Sequence, residues 1–498
     1  MRRGSKGVRW GTKTGTRPFW TMLQGLCLML PLSGCLLTDK PEPGLDIPQA
    51  YDRSSRNPAV AEAALPPLDW WRGFRSRELT EIIEEARSAN LDIAAAIARI
   101  VQADAQSRIA GAPLLPGVAL NGGATRAQSS KTTGLGNGKP FVDDKGFSVG
   151  NTLTASLSAS YEIDFWGKNR SNLRAYEELA VASRYDREVV SLTTVVAAAT
   201  AYFQVLSGQD LLRVSRENLK SASNVLNLIQ QRVNAGTASA LDTAQQESVV
   251  NSIRALIPPL EQTVVQNRNA LALLMARSPE HVRIRGGSLR NIAYPRVTPG
   301  LPSELLAQRP DIREAEAQLA AANANVENAR AQMLPSITLT GEGGYQSSVL
   351  KLLMRPESIL FNVAAGLTQP IFDGGKLLGN LDYQKGKQDE LLQNYRKAVI
   401  AGFVDVENAL EGIRQTALRE QLQLEVVKSS QRAFDISEQR LNQGTIDLVI
   451  VLQTQQTLYT AQLAHVQAQL AHVQAIVSLY QALGGGWLPK PVEAADAR

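Results

Sequence analysis

Between residues 152 and 165, apolar and polar side chains alternate without a break. Leu153, Ala155, Leu157, Ala159, Tyr161, Ile163 and Phe165 lie on one side, and Thr152, Thr154, Ser156, Ser158, Ser160, Glu162 and Asp164 on the other. A period of two over this length predicts a strand with one apolar and one polar face. Its partner is expected near Val118 to Arg126, across a loop rich in Gly, Ser and Asn from Gln128 to Gly146. Farther on, Ile337, Leu339, Gly341, Gly343 and Tyr345, then Phe361, Val363, Ala365 and Leu367, predict a second pair of strands. Elsewhere the period is helical. Ala182, Tyr185, Val189, Leu192, Val196, Ala199, Phe203 and Leu206 step by three and four, the seam of a coiled coil. Leu463-Ala464-His465-Val466-Gln467-Ala468-Gln469 is followed at once by Leu470-Ala471-His472-Val473-Gln474-Ala475, a heptad written almost twice.

The larger pattern is a duplication. Asn90-Leu91-Asp92-Ile93 returns as Arg309-Pro310-Asp311-Ile312, and Leu115-Pro116-Gly117-Val118 as Leu334-Pro335-Ser336-Ile337, both 219 residues later. Trp166-Gly167-Lys168 matches Gly374-Gly375-Lys376, and Arg232-Val233-Asn234-Ala235-Gly236-Thr237 matches Arg440-Leu441-Asn442-Gln443-Gly444-Thr445, both 208 later. The offset shortens across the Gly-rich loop, where exposed chain tolerates deletion. The expected plan is a segment 35–78, a repeat 79–290, a repeat 291–484 and a tail 485–498. The first repeat holds a helix from 79 to 111, a hairpin 115–165, a long helix 169–233 and a helix 240–277. The second holds a helix 303–332, a hairpin 335–372, a long helix 377–441 and a helix 447–483. Each long helix, at 1.5 Å per residue, would extend about 100 Å. Residues 36–78, with Trp70-Trp71, are expected to pack along these helices.

The amino-terminal end changes the reading of charge. Arg2, Arg3, Lys6, Arg9, Lys13 and Arg17 precede an apolar run from Phe19 to Leu32 and then Leu32-Ser33-Gly34-Cys35. That order predicts a secretory signal over 1–34, and its Leu-Ser-Gly-Cys ending resembles a bacterial lipobox, which makes Cys35 the acylated first residue. Leu36 behind it is compatible with outer-membrane sorting. With the leader gone, a net charge of +5 becomes −1, so no basic surface argues for nucleic acid. Cys27 leaves too, so no disulfide can form within the mature chain. No later run of about eighteen consecutive apolar residues predicts a membrane-spanning helix. A bilayer could then be crossed only by strands closed into a barrel, and four strands per chain cannot close one; two chains would supply the minimal eight and three would supply twelve. Tyr161, Phe165, Trp166, Phe361 and Phe372 fall where interfacial aromatics would sit.

The lipobox, the repeated helix–hairpin–helix–helix unit, the exit Pro370-Ile371-Phe372-Asp373-Gly374-Gly375-Lys376, the stretch Ala235-Gly236-Thr237-Ala238-Ser239-Ala240-Leu241-Asp242 and the Arg-x-x-x-Gly-Thr turns together resemble one family. They are similar to the outer membrane factors of tripartite efflux systems, the TolC-like proteins and, among them, the OprM/NodT-type lipoproteins. The resemblance implies a mainly α chain with a transmembrane β part, which as a homotrimer forms a 12-strand barrel and a 12-helix periplasmic tube. It implies an exit duct for small molecules such as drugs, docked to a periplasmic adaptor (membrane fusion) protein and an inner-membrane pump of the resistance-nodulation-division (RND) class. It places a gate near Asp447, Val449 and Gln453, with Leu241, Asp242 and Gln245 on the equivalent helix. Arg232 and Arg440, one turn earlier, are expected to pair with acidic residues of neighbouring helices. Gly236, Thr237, Gly444 and Thr445 would face the adaptor, and segments 278–301 and the tail would form a belt.

Nothing in the sequence points to an enzyme or a cofactor: His-Glu-x-x-His and Walker-type loops do not occur, and the single Gly-x-Ser-x-Gly, Gly146-Phe147-Ser148-Val149-Gly150, leads from the Gly-rich loop into a strand instead of turning from a strand into a helix. His465 and His472 stand about 10 Å apart along a helix, too far to share a metal unaided. The rival architectures are a type I secretion channel and a lipid-anchored coiled-coil tether without a pore.

Overall fold

The computed structural model describes residues 44–45, 67–128, 149–295, 302–485 and 487. The leader, Cys35, Leu36 and most of the Gly-rich loop therefore lie outside the described residues, as does nearly all of the tail. Helix dominates. Along the chain run α1 (Arg77–Ala89), α2 (Leu91–Gly111), β1 (Gly117–Gln128), β2 (Val149–Ile163), α3 (Lys168–Asn234) and α4 (Ala240–Leu274). Then come α5 (Pro302–Gln308), α6 (Pro310–Ala331), β3 (Ser336–Ser347), β4 (Ile359–Thr368), α7 (Lys376–Asn442) and α8 (Leu448–Ala482). The chain divides into two compact units, one holding residues 116–171 and 325–384, the other 43–115, 172–324 and 385–498.

The first unit is built on a four-stranded antiparallel sheet in the order β1-β2-β3-β4. Its register keeps the sequence alternation in phase across every pair. Leu120 stands opposite Leu157, Leu157 opposite Gly343, and Gly343 opposite Phe361. Asn121 opposite Ser156, and Ser158 opposite Glu342, share the other face. The face of Leu120 and Leu157 is mainly apolar, with Arg126 opposite Asn151 at its loop end, and it is bare: Leu120, Phe361 and Val363 are each more than 80% exposed. Gly344 is required where β3 crosses β2, because a Cβ there would meet the backbone of Ala155 and Ser156 at 2.4–2.5 Å. The alternation predicted β2 to run through Phe165, but it stops at Ile163 because Asp164 is taken by the helix that follows. Its carboxylate accepts the amides of Asn169 (3.0 Å) and Arg170 (2.9 Å), partners for helix-start donors that would otherwise have none. Asp373 does the same for α7, accepting from Gly375 and Leu377 at 2.9 and 2.8 Å. Trp166 ties one hairpin to the other, its indole N–H donating to Pro335 O at 2.8 Å.

The second unit is helical. The helix expected from 79 to 111 is broken at Asn90, whose side chain accepts the amides of Asp92 and Ile93 and donates to Leu274 O. In the other half, Pro310 opens α6 at the corresponding place, since proline suits the first turn and cannot continue the helix before it. The recurring Asn-Leu-Asp-Ile and Arg-Pro-Asp-Ile segments therefore mark helix starts. Arg309, before the proline, is mostly buried; its guanidinium reaches Asp311 (2.7 Å), Asp405 (2.9 Å) and Ala482 O (3.1 Å).

The main core gathers Trp70, Phe74, Leu79, Ile83, Phe203, Leu206, Leu271 and Leu289. Trp70 stacks on Tyr480 with ring centroids 4.6 Å apart, and Phe74 meets Phe203 at 5.1 Å. An 18-residue window of α3 is apolar enough, by composition, to cross a membrane, although no unbroken apolar run of that length exists. Half of that window is buried inside the fold, and Val195 to Leu206 supply much of this core. The buried Asp210 binds the turn at 289–291 to α3, accepting from Ser288 Oγ and Leu289 N at 3.0 and 2.9 Å.

A polar cluster lies between α7 and α8. Glu420 accepts from Tyr294 at 3.2 Å and lies 2.6 Å from His472 Nδ1. Burial pushes the Glu420 carboxyl up, but His472, Tyr294 and Gln469 outweigh it and hold it below the ordinary value. His465, one heptad from His472, is buried, with Nδ1 unpartnered among the described residues. Burial, assisted by Arg290 and opposed by Glu420, lowers its pKa. The unfolded chain then takes up this proton first, so the contribution of His465 is intact above about pH 6.5 and is lost as pH falls through the lowered folded value. Unfolding midpoints in denaturant should drop between pH 7.5 and 5.5, with a slope of at most about 1.4 kcal/mol per pH unit. His465→Gln should flatten that dependence.

Candidate functional site

Both long helices end in the same turn, and the sequence pattern explains its geometry. Gly236 and Gly444 adopt φ of +74° and +70°, the left-handed conformation that glycine enters without steric cost. Gly236 N–H donates to Val233 O (2.9 Å) and Thr237 N–H to Arg232 O (2.8 Å); Gly444 and Thr445 repeat these bonds to Leu441 O and Arg440 O, each at 3.0 Å. These are the two hydrogen bonds of a Schellman cap. The threonine hydroxyls add a third, Thr237 Oγ1 to Arg232 O and Thr445 Oγ1 to Arg440 O, both at 3.1 Å. Glycine thus stands where the handedness reverses, and threonine where a hydroxyl reaches back to the arginine carbonyl. Gly444→Ala should cost about 1–2 kcal/mol, the penalty of a Cβ in this conformation, read as a lowered unfolding midpoint of the purified protein.

The helices leaving these turns start differently. Ser239 and Asp242 form a capping box, Ser239 N–H donating to Asp242 at 2.8 Å and Asp242 N–H to Ser239 Oγ at 3.3 Å. Asp242 is therefore engaged at its own helix start, whereas Asp447 opens α8 with an exposed side chain that makes no capping bond. Leu241 and Val449, 208 residues apart, occupy the same position of the two helices and are 65% and 59% exposed. Gln245 and Gln453, again 208 apart, are half-buried and exposed. The Arg232 guanidinium donates to the backbone carbonyl of Leu441, not to an acidic side chain as expected. That carbonyl ends a helix, where the macrodipole favours a cation. Arg440 is exposed.

Beneath the turns, Val225, Ile229, Val250, Ile253, Phe434, Leu441, Leu448 and Val451 pack into a second core. Two fully buried glutamines, Gln246 and Gln455, interrupt it; Gln246 Nε2 donates to Ala222 O at 2.8 Å and reaches Gln455 Oε1 at 3.4 Å. Sequence reasoning missed this pair and chose their neighbours, Gln245 and Gln453. Helical phase carried the signal: Gln246 falls in step with Val250 and Ile253, and Gln455 with Leu448, Val451 and Leu458. Gln246 Oε1 and Gln455 Nε2 have no partner among the described residues. No group of His, Cys, Asp and Glu suited to a metal occurs among the described residues.

Comparison with known proteins finds a family match under the description outer membrane efflux protein, over residues 82–277 and 301–485. The pyoverdine export outer membrane protein OpmQ of Pseudomonas putida is 39% identical over 472 residues, covering 94% of this chain and 98% of its own length. The probable outer membrane lipoprotein SilC of Salmonella typhimurium is 29% identical, covering 94% of this chain and all of its own. Among solved structures, the CmeC outer membrane channel of Campylobacter jejuni superposes with a TM-score of 0.80 at 25% identity, over 90% of this chain and 95% of its own.

Proposed function

This chain belongs to the outer membrane efflux protein family, and on that premise we propose that three copies form a closed duct through which small molecules leave the cell. It is a transport protein of the outer membrane, not an enzyme. The observation that carries the proposal is the sheet. It has one bare apolar face and two unpaired edges, β1 and β4, on a single chain. In lipid an open edge leaves amides and carbonyls without partners, each costing several kcal/mol. Three copies joined edge to edge give twelve strands, within the range of outer-membrane barrels, with the apolar face on lipid and the Ser/Thr/Asn/Glu face on a wet lumen.

The leader over 1–34 is removed in this reading, and Cys35 carries the lipid anchor. The helices extend into the periplasm as a tube of twelve, and the turns at Gly236-Thr237 and Gly444-Thr445 face the tips of an adaptor. An inner-membrane pump of the RND class supplies the energy. OpmQ is named for pyoverdine export, and export needs a duct with no catalytic group.

The gate follows from the same placement. Val449 and Leu241 are apolar residues left bare beside the turns, and six of them meeting in a trimer form a constriction that closes by dewetting. Gln453 and Gln245 supply hydrogen bonds one turn deeper. Asp447 lies just outside, Arg232 ties down the end of α7, and Arg440 stands exposed beside it. Conductance of the purified protein in planar bilayers tests this. The parent should show a small conductance and Val449→Ser a larger one. Equal conductances would remove Val449 from the gate.

A further inference from the structure

The arginine before the first turn is satisfied within the chain, and the one before the second is not. Arg232 donates to Leu441 O at the end of α7. Arg440 is exposed and has no partner among the described residues. The two halves keep one constant register here: α3 and α7 begin 208 residues apart and end 208 apart, and so do α4 and α8. The residue that corresponds to Leu441 is therefore Val233. The carbonyl of Leu441 accepts both the Gly444 amide and the Arg232 guanidinium, whereas that of Val233, among the described residues, accepts the Gly236 amide alone. One chain thus holds one completed bond together with the donor and the acceptor of a second, on different helices.

A surface that offers a donor on one side and the matching acceptor on the other joins copies head to tail, and such contacts close into a ring where the rotation allows. We propose that Arg440 of each protomer donates to the Val233 carbonyl of the neighbouring copy, so that helix ends around the ring are bridged alternately within and between chains. The proposal rests on the trimer reading above and names the contact that holds its periplasmic end. The same asymmetry recurs higher on the long helices. Leu422 is 58% exposed on α7, yet its counterpart on α3, Val214, is buried. A neighbouring copy laid along α7 would cover Leu422 and bring Arg440 to a helix terminus, where a guanidinium bond is charge-assisted and favoured by the dipole.

The test joins Arg440→Cys and Val233→Cys in protein extracted from outer membranes and treated with a short bifunctional thiol reagent. Chain-to-chain products from the double variant, and none from either single variant, are expected. Particles of three chains that give only within-chain products or none would overturn the Arg440 contact and leave the trimer standing. Particles of one chain would overturn both. A second measurement leaves the backbone untouched: Arg440→Met should speed trimer dissociation in detergent about tenfold, the loss of a hydrogen bond from a charged donor, with Arg440→Lys in between. A dissociation rate unchanged in Arg440→Met would overturn the contact independently.

Discussion

Leu157→Arg should abolish assembly in the outer membrane while leaving the helical unit folded. Leu157 lies midway along β2, between Leu120 and Gly343, on the bare apolar face. A cationic side chain at the bilayer midplane on the lipid side of a barrel costs about 2–4 kcal/mol, and a trimer incurs that cost three times. The expected result is loss of protein from the outer-membrane fraction. The adjacent Ser158→Arg is the control, because Ser158 faces the other way and pairs with Glu342 across the sheet. A cation there meets lumen water and a carboxylate, so insertion should persist. Equal insertion by the two variants would mean that the alternation does not separate lipid from water.

The second large effect lies in the helical unit. Trp70→Ala should destabilise it by about 3–5 kcal/mol, the range for removing a large buried aromatic. Trp70 is 1% exposed, stacked on Tyr480 and edge-on to Trp71, with centroids 5.9 Å apart in the second case. Removing it opens a cavity beside Phe74 and detaches the segment entering α1 from the end of α8. Denaturant unfolding of the detergent-solubilised protein followed by circular dichroism measures this. A loss below about 1 kcal/mol, the ordinary size of a surface effect, would show that the segment is not anchored there.

Strand alternation and heptad stepping were legible in the sequence because both are periodic and extend over many residues. The sheet register follows from the alternation, since slipping one pair by a residue would turn Leu157 or Phe361 onto the polar face. The turns were legible too, as Gly and Thr stand where a left-handed cap needs them. What stayed hidden was either aperiodic or made by backbone. Trp70 to Phe74 form a single short turn with no period to detect. Asn90 breaks a helical pattern whose composition continues past it. Asp164 alternates like a strand residue but is recruited by the helix behind it. Arg232 was expected to seek a carboxylate and instead found a helix-end carbonyl, an acceptor that a sequence does not display. Gln246 and Gln455 were masked by their polarity, although their helical phase placed them inside.

In the duct, this sheet is one third of a closed barrel. The measurement that bears on it most directly is the protein mass, by light scattering with detergent subtracted, of particles extracted from a purified outer-membrane fraction. Three chains per particle are expected. A monodisperse single chain, or no protein in that fraction, would contradict the closed barrel and leave a lipid-anchored coiled-coil tether in place of a duct.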